Sequence, residues 1–291
     1  MNDKTQSTVL VLGATGMLGN AMLRLLADSP GIRVFGSARS TSGIRLLRKD
    51  LHGLVHVGID AESADSLAKL LGLVRPHVVI NCIGLIKQLV DADDPLAAIA
   101  INSLLPHRLS RLCSLMGARL VHIGTDCVFA GTRGLYREDD MPDAQDLYGR
   151  SKLLGEVTNE GHAVTLRTSF IGHELATAHG LVGWFLAQQG SVQGYCKAIF
   201  SGLPTVELAR VIRDHVLPNP ALSGLYQVSA NPIDKLTLLH LVAAEYGHDI
   251  EILPNEHVEI DRSLDSTRFQ SATGYQPPDW HELVRRMRAF G

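Results

Sequence analysis

The chain has 291 residues, of which 45% are hydrophobic, and its formal net charge at pH 7 is −3. This length is enough to bury one large core, or one large and one small lobe. The charge balance gives no basic field of the kind that attracts nucleic acid. No apolar run reaches the roughly 18 residues that a membrane helix requires. We therefore expect neither a nucleic-acid partner nor a membrane segment.

The cysteines and the N-terminal residues indicate the expected cellular compartment. The cysteines lack both the paired spacing of a metal site and the density of a disulfide framework. The chain is largely polar up to Ser7 and then enters an apolar run, which leaves no room for a signal peptide. We expect reduced thiols, no metal site and a cytoplasmic protein. The four cysteines are Cys82, Cys113, Cys127 and Cys196.

The first predicted elements surround a glycine-rich turn. Residues 8–12 form a short β-branched and apolar run, and residues 17–27 carry helical apolar periodicity. Three glycines at three-residue spacing join the two. Such a strand, turn and helix suit a dinucleotide, because the backbone can approach a pyrophosphate at the helix N-terminus. The alternative is an ordinary glycine turn. The predicted cofactor-binding residues here are Gly13, Thr15, Gly16, Met17, Leu18 and Gly19.

The second predicted strand indicates which dinucleotide is preferred. An acidic residue at its end binds the ribose diol of NAD, whereas an arginine accommodates the 2′-phosphate of NADP. No Asp or Glu occurs between Arg33 and Ser42, and Arg39 follows Ser37 at the strand end. This favours NADP(H) over NAD(H), with Ser37 and Arg39 as contacts. The alternative is that Arg39 faces solvent in a loop.

Strands and helices alternate along the first half of the chain, which predicts a parallel sheet. After Thr168 this rhythm breaks into shorter elements, except that GLYQVS (224–229) reads as a strand. We expect an α/β fold with a doubly wound parallel Rossmann sheet and a smaller mixed C-terminal lobe. Residues 1–168 would bind NADP(H), and residues 169–291 would mostly bind substrate, with about 222–232 returning to the main sheet. The predicted strands lie near 8–12, 32–37, 54–58, 77–82, 119–124 and 163–167, and the helices near 17–28, 62–73, 96–116 and 147–160.

Tyr148 and Lys152 form a pair of side chains that could carry out proton transfer. They are four residues apart in the run YGRSK, so a helix places both side chains on one face. A neighbouring ammonium favours phenolate and lowers the tyrosine pKa from its usual value of about 10. A phenol tuned in this way can act as a general acid on a carbonyl. The alternative is two solvated residues on a helix face.

Several separated runs resemble one superfamily. They are GATGMLG (13–19), VINCIG (79–84), HIGTDCVFAG (122–131), YGRSKLLGE (148–156), LRTSFIG (166–172) and DRSLDSTRF (261–269). Their order and spacing resemble the extended short-chain dehydrogenase/reductases. Within that superfamily the chain is similar to the dTDP-4-dehydrorhamnose reductase family of nucleotide-sugar enzymes.

The resemblance implies roles for particular residues. Thr125 would donate a hydrogen bond to the substrate carbonyl oxygen, and Tyr148 would protonate that oxygen as hydride arrives from the nicotinamide. Lys152 would hold the nicotinamide ribose and lower the Tyr148 pKa. Asp60 occupies the position that contacts adenine in relatives, or alternatively caps the helix predicted after Glu62. Cys82 and Gly84, in VINCIG, are further predicted cofactor contacts.

The residues Thr125-Asp126-Cys127 distinguish between two reactions that occur within the superfamily. Nucleotide-sugar 4,6-dehydratases resemble this chain but carry Thr-Asp-Glu, where the glutamate helps to remove water. This sequence has Cys127 at that position, so the resemblance favours NADPH-dependent reduction of the 4-keto group of a nucleotide-diphosphate 6-deoxyhexose. Such an enzyme would serve the synthesis of sugar precursors for cell-surface polysaccharide. Asp126 would touch the substrate, or alternatively accept backbone N–H groups in the turn.

Substrate contacts are expected from several loops. Cys127 and Phe170 replace aromatic residues that are usual in relatives, tyrosine and tryptophan respectively. The smaller ring of Phe170, which has no N–H, favours a different or bulkier hexose than rhamnose. Lys87 lies in a loop expected to face the sugar. Arginines suit phosphate oxygens, and the candidates for the diphosphate are Arg167, Arg262 and Arg268, of which Arg268 is favoured. The base stays open between dTDP- and UDP-linked sugars.

Two alternative functions and the oligomeric state remain open from the sequence. One is a nucleotide-sugar epimerase with tightly bound NAD. The other is a non-catalytic NADP-binding regulatory subunit, like that of methionine adenosyltransferase, which resembles the same family. Retention of Thr125, Tyr148 and Lys152 favours an enzyme. A homodimer stays open.

Overall fold

A computed structural model of the chain describes residues 6–85 and 94–291. Its centre is a seven-stranded sheet in the order β10-β6-β5-β4-β1-β2-β3, and every neighbouring pair is parallel. The α/β prediction with a doubly wound parallel sheet is confirmed. The strands of this sheet are β1 (Ser7–Leu12), β2 (Ile32–Ala38), β3 (Val55–Val57), β4 (Val78–Asn81), β5 (Arg119–Ile123), β6 (Ala163–Arg167) and β10 (Gly224–Gln227).

The strand order reverses beside β1. Strands β2 and β3 follow on one side of β1, whereas the chain crosses to the other side to form β4. In doubly wound sheets the carboxyl ends of the strands at this reversal border a ligand crevice. Gly13 directly follows β1 and Cys82 directly follows β4, so both lie at the mouth of this crevice.

Both faces of the sheet are buried, which explains the nearly continuous apolar strands. Along β1, Val9 and Val11 contribute to one hydrophobic cluster, and Leu10 and Leu12 contribute to a second cluster on the opposite face. This division follows from the two-residue period of a strand. The first cluster continues into the C-terminal part of the chain, so the two regions share one core.

The helices lie close to the predicted positions, with two differences. The helix predicted over 147–160 ends at Leu154. The next residue, Gly155, packs so tightly against Asn102 that a side chain there would overlap the Asn102 carbonyl oxygen. The helix predicted over 96–116 has three parts: α4, a π-helical segment (Ile99–Leu104) and α5. The helices are α1 (Met17–Ala27), α2 (Thr41–Ile44), α3 (Ala64–Val74), α4 (Pro95–Ala98), α5 (Leu105–Met116), α6 (Leu147–Leu154), α7 (Leu181–Leu186), α8 (Thr205–Val211), α9 (Lys235–Tyr246), α10 (Thr267–Thr273) and α11 (Trp280–Phe290).

The C-terminal part carries a small mixed sheet of three strands. Its central strand β8 (Ser191–Phe200) pairs antiparallel with β11 (Ile233–Asp234) and parallel with β12 (Glu251–Asp261). A separate parallel pair joins β7 (Phe170–Ile171) to β9 (Leu203–Pro204). The strand expected at 224–229 is β10, which returns to the main sheet beside β6. Within the residues described, no helix combines the length and apolar character needed to cross a membrane.

Candidate functional site

The glycine-rich turn is built by close backbone approach. Gly13 has a φ of 79°, which favours glycine, and its carbonyl oxygen accepts a 3.0 Å hydrogen bond from the Gly16 N–H. A Cβ on Gly19 would lie 2.7 Å from the Gly13 carbonyl carbon and overlap its oxygen. Among the described residues no side chain caps the N-terminus of α1, and the first turn of this helix contains no acidic residue. The turn therefore leaves helix N–H groups free for an anion, as a pyrophosphate requires.

The ends of β2 and β3 border this turn. The buried Ser37 accepts a 3.3 Å hydrogen bond from the Gly13 N–H through its Oγ, whereas Arg39 is exposed beyond the strand end. Asp60 is exposed as well, and its Oδ1 accepts a 2.9 Å hydrogen bond from the Glu62 N–H. The N-cap of α3 is Ser63. The alternative reading of Asp60 as the helix cap is therefore wrong.

A cavity of about 420 Å³, termed the central cavity, opens beside the turn. It brings together side chains from α1, the loop after β4, the turn after β5, α6 and β7. Lys87 lies outside the described residues. The predicted site residues that line the cavity are Met17, Leu18, Cys82, Gly84, Thr125, Asp126, Cys127, Tyr148, Lys152 and Phe170.

The turn after β5 presents Thr125 to the cavity. Thr125 is buried; its Oγ1 accepts a 3.2 Å hydrogen bond from the Cys127 N–H and donates to Asp126 Oδ1 at 3.3 Å. Thr125 also hydrogen-bonds the Tyr148 side chain. Helix α6 packs directly on this turn, because a side chain on Gly149 would overlap the Cys127 carbonyl oxygen. Thr125 and Tyr148 are thus held side by side at the cavity wall.

The protonation of Tyr148 and Lys152 differs from the sequence prediction. Burial raises the pKa of Tyr148 above its usual value, and the Thr125 hydrogen bond offsets only part of this rise. Burial also lowers the pKa of Lys152 to about 8. The Lys152 Nζ donates a 2.8 Å hydrogen bond to the Ile123 carbonyl oxygen. The expected lowering of the Tyr148 pKa by Lys152 is therefore wrong for this structure, in which exclusion of water dominates and the phenol holds its proton.

The π-helical segment supplies a residue that the sequence did not single out. Asn102 is buried; its Oδ1 accepts from the Leu85 N–H at 2.9 Å, and its Nδ2 donates to the Leu85 carbonyl oxygen at 3.2 Å. The same Nδ2 lies 3.2 Å from Ser151 Oγ on α6. Asn102 thereby joins the loop after β4 to the helix that carries Tyr148 and Lys152. A buried amide inside an otherwise amphipathic helix was the available signal.

Asp126 and Cys127 follow Thr125 in the turn after β5, and both line the central cavity. Burial raises the pKa of Asp126, while hydrogen bonds from Cys127 and Thr125 and the charge of Arg262 act in the opposite direction. The Asp126 carboxylate therefore interacts with side chains of the site rather than only with backbone N–H groups. Phe170 is half-buried on β7 and faces the same space.

The three candidate arginines separate into different surroundings. Arg167 is buried in a two-point ion pair with Glu156, with N···O distances of 2.7 and 2.8 Å. Arg268 is exposed and stacks over the Tyr226 ring, away from the central cavity. Only Arg262 lines the cavity, together with Lys235, which the sequence did not single out. The arginine that binds the diphosphate stays a prediction, and of the three candidates Arg262 is the one that borders the central cavity.

The chain is similar in sequence to known proteins. The family model described as the RmlD substrate binding domain matches residues 7–200. Methionine adenosyltransferase 2 subunit beta of Xenopus tropicalis is 31% identical over 53% of this chain, and this match spans 44% of that relative, less than half its length. The dTDP-4-dehydrorhamnose reductase of Aggregatibacter actinomycetemcomitans is 23% identical over 97% of this chain and 98% of its own.

A solved structure extends the likeness to the whole fold. The dTDP-4-dehydrorhamnose reductase of Bacillus anthracis, crystallised with NADP, superposes with a TM-score of 0.80 at 20% identity. The superposition covers 98% of this chain and all of that one. Since the family model spans well over half of the chain, the protein belongs to the family of the RmlD substrate binding domain.

Proposed function

We propose that this protein is an NADPH-dependent reductase that acts on the 4-keto group of a nucleotide-diphosphate 6-deoxyhexose. The observation that carries the proposal is the convergence of Thr125, Tyr148 and Lys152 on one cavity beside the glycine-rich turn. The full-length similarity to a dTDP-4-dehydrorhamnose reductase supports the substrate class. The product would be a sugar precursor for cell-surface polysaccharide.

The residues of the cavity divide the chemistry among them. NADPH supplies a hydride when it is bound. Tyr148 donates its proton to the carbonyl oxygen, and a phenol that stays protonated at neutral pH holds that proton ready. Thr125, which already hydrogen-bonds Tyr148, orients the same oxygen and stabilises its developing charge. Lys152 keeps a positive charge beside the reacting groups below pH 8 or so.

The cofactor assignment rests on the fit of the turn to a dinucleotide. Gly13 and Gly19 permit the close backbone packing that forms the turn, and the uncapped first turn of α1 offers N–H donors. Arg39, exposed at the end of β2, would pair with a 2′-phosphate, and Ser37, Asp60, Cys82 and Gly84 would complete the contacts. This arrangement supports NADP(H) over NAD(H).

The test is oxidation of NADPH with a panel of UDP- and dTDP-linked 4-keto-6-deoxy sugars, followed at the reduced-nicotinamide absorbance, with products identified by mass spectrometry. Turnover of at least one sugar, with NADPH faster than NADH, is expected. NADPH binding without turnover of any panel member would contradict the reductase proposal. Retention of NAD through purification would indicate the epimerase alternative.

The second candidate is a non-catalytic NADP-binding subunit. It is favoured by the 31% identity to methionine adenosyltransferase 2 subunit beta, although that similarity covers about half of this chain. Co-purification with a methionine adenosyltransferase catalytic subunit, together with absence of NADPH turnover, would establish it. The division into lobes at residue 168 and a homodimer stay predictions, which limited proteolysis and sedimentation of the purified chain can test.

A further inference from the structure

Two cations line the central cavity on the side of the small mixed sheet. Lys235 is the first residue of α9, and Arg262 directly follows β12. Both side chains are partly buried and both border the cavity. The Arg262 Nε donates a 2.7 Å hydrogen bond to the Phe129 carbonyl oxygen, which fixes the guanidinium beside the turn that carries Thr125.

The register of the small sheet places these two cations near the same end of β8. Asp234 of β11 and Asp261 of β12 both pair with Ile199 of the central strand β8. Lys235 and Arg262 each come one residue later, on opposite sides of β8. Because β11 is antiparallel and β12 parallel to β8, the chain continues towards the level of Ala198 at Lys235 and towards that of Phe200 at Arg262. Strands two positions apart are separated by about 10 Å, and long side chains from such positions can converge on one group between them.

Lys235 has a charge that the protein satisfies only at a distance. Among residues 6–85 and 94–291 it makes no hydrogen bond or salt bridge, and burial lowers its pKa. Asp126 acts to raise this pKa, whereas the nearby Arg262 lowers it further. Two partly desolvated cations that share one buried carboxylate are electrostatically unsatisfied. An anionic ligand would relieve this imbalance.

We propose that Lys235 and Arg262 together bind an anionic oxygen group of the substrate. The inference rests on the proposed function, because it deepens the assignment of the substrate. Arginine offers a planar fork of N–H donors and lysine a compact charge, and both suit phosphate or carboxylate oxygens. The group has two sources in a nucleotide sugar: the diphosphate, or a carboxylate on the sugar ring.

The first arm of the test measures binding without turnover, so it is independent of whether any keto sugar is reduced. UDP and dTDP are titrated by calorimetry into the protein saturated with NADP⁺. Lys235→Met and Arg262→Lys are compared with Lys197→Met, which removes an exposed lysine of β8 whose Nζ pairs with Glu256 at 3.2 Å. Loss of one charged hydrogen bond predicts about 10- to 100-fold weaker nucleotide binding for Lys235→Met. Arg262→Lys keeps the charge but loses the planar fork of N–H donors, so its nucleotide affinity should lie between those of Lys235→Met and wild type.

The second arm separates the two sources. If UDP and dTDP bind equally well to wild type and Lys235→Met, the same proteins are titrated with UDP-glucose and UDP-glucuronate. A preference for the glucuronate in wild type that disappears in Lys235→Met would assign the pair to a sugar carboxylate. Unchanged binding of all four ligands in Lys235→Met and Arg262→Lys, or no binding of any by wild type, would overturn the proposal. NADPH binding by each variant verifies that it is folded.

Discussion

The contact between Gly19 and Gly13 permits a sharp test of how the turn is built. In Gly19→Ala the new Cβ would lie 2.7 Å from the Gly13 carbonyl carbon and overlap the carbonyl oxygen. The contacting atoms all belong to the backbone of the same turn, so no flexible side chain can move aside and the turn must shift by about 1 Å. A misplacement of this size can lower a reaction rate by about 100-fold. Overpacking of this kind costs about 1–3 kcal/mol of folding free energy, and we expect the upper end.

A matched control is available in α3. Gly72 lies inside a helix of the same length and is exposed, and a Cβ built there meets no described atom within 4 Å apart from its chain neighbours and the backbone of its own helix. Gly72→Ala should therefore stabilise the protein by about 1 kcal/mol, because alanine is the better helix former. The same chemical change should thus have opposite signs at the two sites, as measured by urea denaturation.

Cofactor titration distinguishes a local effect on the turn from general destabilisation. Displacement of the turn should remove at least one charged hydrogen bond to the pyrophosphate, so Gly19→Ala should bind NADPH about tenfold or more weakly. Gly72→Ala should bind it like wild type. If Gly19→Ala matched Gly72→Ala in both stability and NADPH affinity, the close approach would be irrelevant and the phosphate-binding interpretation of this turn would fail.

Three further predictions concern the reaction and the cofactor. Tyr148→Phe should lower turnover by about 10²–10⁴ while NADPH affinity survives, and near-normal turnover in steady-state assays would require another acid, with Asp126 the nearest. Arg39→Asp should weaken NADPH binding by ~2–4 kcal/mol and NADH binding far less; equal losses in fluorescence titrations would place Arg39 away from the 2′-phosphate. Because the Lys152 ammonium is present below its pKa of about 8 and lost above it, turnover should fall as pH rises through that value. Lys152→Met should be less active, and its pH profile should lack this fall.

Local sequence signals predicted the main sheet well. The strand and helix around the glycine-rich turn depend on neighbouring residues only, and β1 and α1 lie within one or two residues of the expected positions. Signals that depend on tertiary packing were missed. An example is the close contact of Gly155, the residue after α6, with Asn102, which is far from it in the chain. Nothing in the local periodicity of residues 147–160 could reveal it.

The chemistry of Tyr148 shows a related limit. The four-residue spacing correctly places Tyr148 and Lys152 on the wall of one cavity, but spacing carries no information on solvent exclusion. Burial governs both pKa values, and the Lys152 ammonium is directed to the Ile123 carbonyl oxygen. A helix face therefore predicts which side chains meet, whereas the protonation of each depends on how much water the assembled fold removes.

The cation pair lies furthest from what the sequence can reveal. Lys235 and Arg262 are 27 positions apart and directly follow two strands, β11 and β12, that each pair with Ile199 of β8, and both residues border the central cavity. Arg268, six residues beyond Arg262, belongs to the same motif but follows the turn into α10, where its side chain stacks on Tyr226 outside the cavity. The motif alone therefore does not reveal which of its arginines borders the central cavity. If the Lys235→Met titrations support the pair, residues at the ends of strands that flank a shared central strand, rather than residues within one motif, determine which substrate the cavity accepts.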